Sequence, residues 1–378
     1  MKNMYLLLMM AFCMAGFSQK STDTIRSKKL GIEREIYISL PPSYKQDTKR
    51  TYPLLVLLDG NYLFDPVMGT LNYANYWDDL PEIILVGIDQ RNERDSDCET
   101  SPATGLPENV GSDFFEYIGE VVATVQKSYR VGSFKIIAGH DLTAGFANLY
   151  LYKDQPLFNG YISMSAELPA NMEENIPKRL AVLKKPIFYY HAAAEGDLPD
   201  MKDRILLFDE AASKISDPGL HYFFDNFEGK SHYSMVMSAI PNALYSFFAA
   251  YAPITTTEYN EKIAPLSSGY VNYLIEKYKV MESALNMDVT IRQSDFRAIE
   301  AAILKNKAYQ ELDKLADLAK KNYPKAMLAD YQRGMMYEKM GNYKKAASAY
   351  MSANQKDEIG PLTKNMMMDK VEAMKNMK

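Results

Sequence analysis

Ile136-Ile137-Ala138-Gly139-His140-Asp141-Leu142-Thr143-Ala144-Gly145 runs from a short apolar segment through Gly-His into a helical pattern. An apolar strand that stops at Gly-His and restarts at once as a helix predicts a sharp strand–turn–helix elbow. Such a turn lifts one side chain above the sheet and points it at the N-terminus of the helix. Here that side chain is Asp141. Residues 134–138 are the expected strand and 144–153 the expected helix.

Outward from the elbow, residues 52–58 form a continuous apolar run closed by Asp59-Gly60, the pattern of a strand buried on both faces. Segments 83–88, 160–164, 186–191 and 221–227 repeat it. Residues 35–40 alternate polar with apolar, as a half-buried strand does, and Pro41-Pro42 ends them. Between the strands, Phe114, Phe115, Ile118, Val121, Val122 and Val125 recur at helical spacing. Buried strands alternating with helices predict an α/β domain over residues 28–252, with a mostly parallel sheet covered on both faces. Thr255-Thr256-Thr257 is a polar break, and residues 258–378 show only helical periodicity. Gly334, Tyr337, Ala346, Tyr350 and Ala353 have the small/aromatic spacing of one tetratricopeptide unit, with Asn342 at its turn. Residues 308–324 resemble half of another. One and a half units bury too little to stand as a solenoid, so the tail is expected to pack on the main domain.

The 378 residues are 47% hydrophobic and 24% charged, which suits a soluble protein of about two domains. Collagen-like, disordered and disulfide-stapled classes are excluded. The net charge of -5 and the absence of a basic block exclude nucleic acid as a partner. Lys2, the apolar run 5–12 and Ala15-Gly16-Phe17-Ser18 read as a secretory signal, residues 1–18, with a cut after Ser18. The expected destination is the periplasm or the outside of the cell. The run is too short to span a bilayer, and no later segment reaches that length. Phe12 stands where a lipid anchor on Cys13 needs a small residue. Cleavage leaves Cys98 as the one thiol, so no disulfide can form within the mature chain.

The ordered pieces Leu30-Gly31-Ile32-Glu33-Arg34, Leu57-Leu58-Asp59-Gly60, Val86-Gly87-Ile88, Ile137-Ala138-Gly139-His140 and Leu157-Phe158-Asn159-Gly160-Tyr161-Ile162-Ser163-Met164-Ser165 resemble the putative-esterase family. That family includes enterobactin-esterase-like and carbohydrate-esterase-like members. The resemblance implies an α/β-hydrolase fold followed by the all-helical tail. It also implies a nucleophile, acid and His in that chain order. The family places Ser where this chain has Asp141 and Gly where it has Thr143. The His is retained as His232, in Gly229-Lys230-Ser231-His232. Glu195 and Asp197 are the candidate acids, with Glu195 preferred for its place in the loop. Oxyanion donors would be the backbone N–H of Leu142 and one near Gly60 and Asn61.

A carboxylate at the elbow suits displacement at a saturated carbon, as in epoxide hydrolases and haloalkane dehalogenases, whose elbow also reads Gly-His-Asp. It suits attack on an ester carbonyl poorly, because the product is an anhydride, and its charge competes for the oxyanion donors. The expectation is therefore a degenerate esterase in which Asp141 pairs with His232. Such a protein would bind a small ester-like ligand, or a protein partner through its helical tail. The alternatives are an active hydrolase, ester-cleaving or Asp141-dependent, and an interaction protein working through its tail. No cofactor is implied. His191 and His221 lack metal-ligand spacing and read as satisfied polar residues. Trp77 and Tyr62 read as core or rim packing, Ser231 and Ser234 as loop hydroxyls, and the charge-rich segment 89–95 as a solvated loop.

Overall fold

The computed structural model describes residues 20–283, 285, 287 and 289–377. The expected signal at 1–18, with Cys13, lies outside the described residues. The chain divides after Ala249 into two compact units.

The first unit is built on one eight-stranded sheet in the order β1-β2-β4-β3-β5-β6-β7-β8. Its strands are β1 Lys20–Arg26, β2 Glu33–Ser39, β3 Tyr52–Leu57, β4 Ile84–Ile88, β5 Val131–His140, β6 Gly160–Met164, β7 Ile187–Gly196 and β8 Leu220–Ser231. β1 pairs antiparallel with β2, and β2 with β4; the remaining pairs are parallel. The helices of this unit include α1 Gly60–Tyr76, α2 Arg94–Asp97, α3 Asn109–Ser128, α4 Leu142–Ala147, α5 Met172–Leu180, α6 Pro199–Ala212 and α7 Val236–Phe247.

β3 shows why the sheet needs cover on both sides. All six of its residues are buried. Leu54, Val56 and Leu58 pack into one cluster with Phe114, Ile118 and Val121 of α3. Successive side chains alternate faces, so Leu55 and Leu57 serve the opposite layer. There α1 buries Leu63, Phe64, Val67, Leu71 and Ala74, a stripe at helical spacing. The helix expected over 144–153 is α-helical only through Ala147 and continues as a 3-10 turn over Asn148–Tyr152. β1 had no counterpart in the sequence reading. Six of its seven residues are at least partly exposed, so it carries no buried run.

In the second unit, Arg292 stacks over Tyr251 at 4.1 Å and donates to its carbonyl. Asp295 accepts from the N–H of Ile254 at 2.9 Å. These contacts tie 251–254 to the helical tail and set the division slightly before the expected 252. The tail holds α8 Tyr270–Ser283, α9 Gln293–Lys305, α10 Glu311–Asn322, α11 Leu328–Lys339, α12 Tyr343–Asn354 and α13 Lys364–Asn376. α11 and α12 are the expected tetratricopeptide-like pair. Asn342 caps α12 by accepting from the N–H of Lys345 at 3.2 Å. The Tyr350 ring lies where a Cβ on residue 334 would stand, which accounts for Gly334.

Candidate active site

β5 ends at His140, and Asp141 takes φ 62°, ψ -123° before α4 begins. Positive φ is costly for a residue with a Cβ, so the surroundings must hold this conformation in place. The N–H of Asp141 donates to Met164 O at 3.0 Å, and its carbonyl accepts from Glu167 N at 3.0 Å. Gly139 is required by close approach: a Cβ there would lie 2.6 Å from the Thr143 carbonyl carbon. Thr143 does not open the turn. Its buried hydroxyl accepts from His140 N–H at 3.1 Å and donates to Asp59 at 2.7 Å. The elbow's tightness is thus provided from the strand side, by Gly139.

His232 follows β8 and lies between two carboxylates. Its Nδ1 is 2.8 Å from Asp197 Oδ1, and its Nε2 is 3.8 Å from Asp141 Oδ1. Asp197 also accepts from Ala194 N–H at 2.7 Å and from Ser165 Oγ at 3.0 Å. The preference for Glu195 is corrected here. Its carboxylate turns away to accept from Gly229 N–H at 2.6 Å, while Asp197 takes the imidazole. β7 ends at Gly196, and the fold back from there brings Asp197 onto the Ala194 N–H beneath the His.

The bond from Asp197 raises the pKa of His232 against the opposing effect of burial, and the charges of Asp141 and Asp197 help. Burial works against ionising Asp197. Even so, its bonds from His232, Ala194 N–H and Ser165 hold it below the ordinary carboxylate range. The raised His gives stability that is full below its unfolded pKa and is lost as pH rises through the folded one. The depressed Asp gives stability present above its unfolded pKa and lost as pH falls through the folded value. An NMR titration should find His232 titrating above the ordinary histidine value, with Asp197→Asn moving it down. A His232 that titrates low in the intact protein would contradict this geometry.

The segment 89–95, expected to be solvated, supplies a residue that the sequence reading missed. Arg94 turns inward. Its Nε donates to Asp59 Oδ1 at 2.8 Å, and one terminal nitrogen reaches His140 O at 3.1 Å and Asp141 Oδ2 at 3.2 Å. Asp59 is fully buried and accepts also from Tyr62 OH at 2.9 Å. The site is therefore a line of alternating charge: Asp59, Arg94, Asp141, His232, Asp197. His140 braces it. Its Nδ1 lies 3.1 Å from Tyr62 OH and its Nε2 3.0 Å from His232 O. Burial lowers its pKa, as does the neighbouring His232, so it stays a neutral support. A carbonyl can only accept, so Nε2 carries the proton, and the bare Nδ1 shares the single Tyr62 hydroxyl hydrogen with Asp59.

Gly60 and Asn61 open α1, and Leu142 opens α4. N–H groups in a first helical turn have no partner inside their helix, as the oxyanion role requires. Tyr62 and Trp77 are both exposed rather than core; Tyr62 serves the site, and Trp77 lies edge-on to Tyr76. Ser231 and Ser234 bond each other at 3.0 Å. His221 stacks on Phe188 at 4.1 Å. His191 departs from the expectation of a satisfied polar residue. It is fully buried, neither ring nitrogen makes a well-aligned hydrogen bond, and burial pushes its pKa down to about 3 against a weak contact with the Ser163 backbone. Cys98 is buried, with its thiol pKa raised by burial. No group of three or more His, Cys, Asp or Glu among the described residues is arranged to hold a metal ion. No helix among them is long and apolar enough to cross a membrane.

Sheet order, elbow and His loop together make the first unit an α/β-hydrolase fold. Residues 27–176 match the family model described as putative esterase, and a helical C-terminal region follows the first unit. A solved structure of an uncharacterised protein from Capnocytophaga ochracea is 26% identical, with a TM-score of 0.86, covering 94% of this chain and 99% of its own. An IroE-like serine hydrolase from Shewanella oneidensis shares the fold at 18% identity and TM-score 0.60, covering 80% of this chain and 99% of its own. The BES protein from Bacillus cereus shares it at 21% identity and TM-score 0.52, covering 60% and 94%. None of the curated proteins matches the chain.

Proposed function

We propose that this protein is an exported, degenerate esterase. Asp141 stands in place of the nucleophilic serine, and the site holds a small ester-like ligand or a protein partner instead of cleaving an ester. One observation carries the reading: both oxygens of Asp141 face nitrogens, Oδ2 at 3.2 Å from the Arg94 guanidinium and Oδ1 at 3.8 Å from the His232 imidazole, whose pKa is raised. A carboxylate held by a guanidinium is a weak nucleophile. Its two flanking carboxylates also favour the protonated form of His232, which a general base must not hold at the start of the reaction. Export rests on the signal-like layout of residues 1–18.

The test is an activity screen on the purified mature protein with short acyl esters and a simple epoxide. The expected result is turnover no faster than buffer for every substrate. Clear hydrolysis of an ester or an epoxide, abolished by Asp141→Asn, would replace this reading with an Asp141-dependent hydrolase. The intact contact between His232 and Asp197 is what would favour that second reading.

A further inference from the structure

The second unit contains a recess of about 140 Å³, bounded by α9, α11, the turn at 359–362 and the start of α13. Leu328, Ile359 and Leu362 give it aliphatic walls, and Arg297 and Glu300 give it charge. These two residues are three apart on α9 and so share one face. Opposite charges at that spacing ordinarily pair with each other. Here neither makes an ion pair among the described residues, although both line the same recess. Glu300 accepts only a long bond, 3.4 Å, from the Gln332 amide nitrogen. Gln332 is itself fully buried, and its amide oxygen has no donor. The region therefore has acceptors in want of a donor, beside an exposed guanidinium with no carboxylate partner among the described residues.

The wall is formed in advance. Ile359 and Leu362 exchange two backbone bonds, 3.2 and 3.0 Å, across a turn with Gly360 at φ 54°. Asp357 anchors that turn by bonding both Met327 N–H, at 2.9 Å, and Lys325 O, at 3.1 Å. A volume of 140 Å³ equals that of about four or five liquid waters, enough for one small molecule and too little for a peptide segment.

We propose that this recess binds a free α-amino acid with a small aliphatic side chain, its carboxylate on Arg297 and its ammonium on Glu300. The planar guanidinium suits a carboxylate, and the aliphatic walls suit a branched side chain. Burial pushes the Glu300 carboxyl up to about 7, and an ammonium against it restores the ionised form.

The test is isothermal titration calorimetry of the full mature chain with L-valine. Two ligands each remove one charge: valinamide lacks the carboxylate, and 3-methylbutanoate lacks the ammonium. L-valine should bind saturably, and each analogue should bind about tenfold or more weaker, the loss expected for one charge-assisted hydrogen bond. Arg297→Gln should abolish the preference for L-valine over valinamide, and Glu300→Gln its preference over 3-methylbutanoate. Arg297 is exposed, so its variant tests the site even if Glu300→Gln fails to fold. No saturable heat with millimolar L-valine would overturn the proposal. So would equal binding of the three ligands, or an Arg297→Gln protein that discriminates as the wild type does.

Discussion

Asp141→Ser is expected to turn a protein without ester turnover into a weak esterase that depends on His232. The conformation at residue 141 is fixed by backbone bonds to Met164 and Glu167, so a serine there inherits the raised position. The change removes the carboxylate that competes for the donor groups at the N-terminus of α4. It also removes one of the two negative charges that raise the His232 pKa, leaving Asp197 to orient the ring at 2.8 Å. Adding His232→Ala should lower the gained rate by about 10²–10⁴-fold, the usual contribution of a positioned general base. Thr143 is best left in place. Restoring the family's glycine there would delete the bond to buried Asp59 without relieving any crowding, because Gly139 already provides the space. An Asp141→Ser activity that survives His232→Ala would show that the serine works without the triad.

Arg94→Met should be the most damaging single change in the site. It strands Asp59, which is fully buried, and leaves Asp141 facing a developing cluster of negative charge. Removing one partner of a buried ion pair costs about 3–5 kcal/mol. Arg94 keeps 27% of its side chain exposed, which points to the lower end of that range. Urea denaturation followed by a probe in the first unit should show a lower midpoint with an unchanged slope. A midpoint that barely moves would mean that water, not Arg94, satisfies the two carboxylates.

Much of this site was legible in the sequence because the elbow is a local device: Gly139, His140 and Asp141 are consecutive, and the strand and helix on either side announce themselves by period. The apolar runs of β3 to β7 were legible for the same reason. What sequence could not supply was direction. Arg94 sits in a segment with Asp89, Arg91, Glu93 and Asp95, and composition alone does not say which charge turns inward. The feature that settles it is Asp59, a carboxylate buried beyond a strand end and therefore in need of a cation. Glu195 and Asp197 posed the same difficulty. Two acids lie two residues apart, and the end of β7 at Gly196 decides which of them meets His232. β1 was missed because an edge strand with little buried surface carries no apolar signature.

The line of alternating charge also constrains the order in which its residues can change over generations. Arg94 has two carboxylate partners, Asp59 and Asp141, whereas Asp141 faces Arg94 and the His232 imidazole. If Asp141 is replaced first, Arg94 still has Asp59 and the interior stays neutralised. If Arg94 is replaced first, two acids are left behind and the fold is at risk. Change away from this state is therefore directional: residue 141 can give way to another residue that bears its positive φ, while residue 94 is held by what surrounds it.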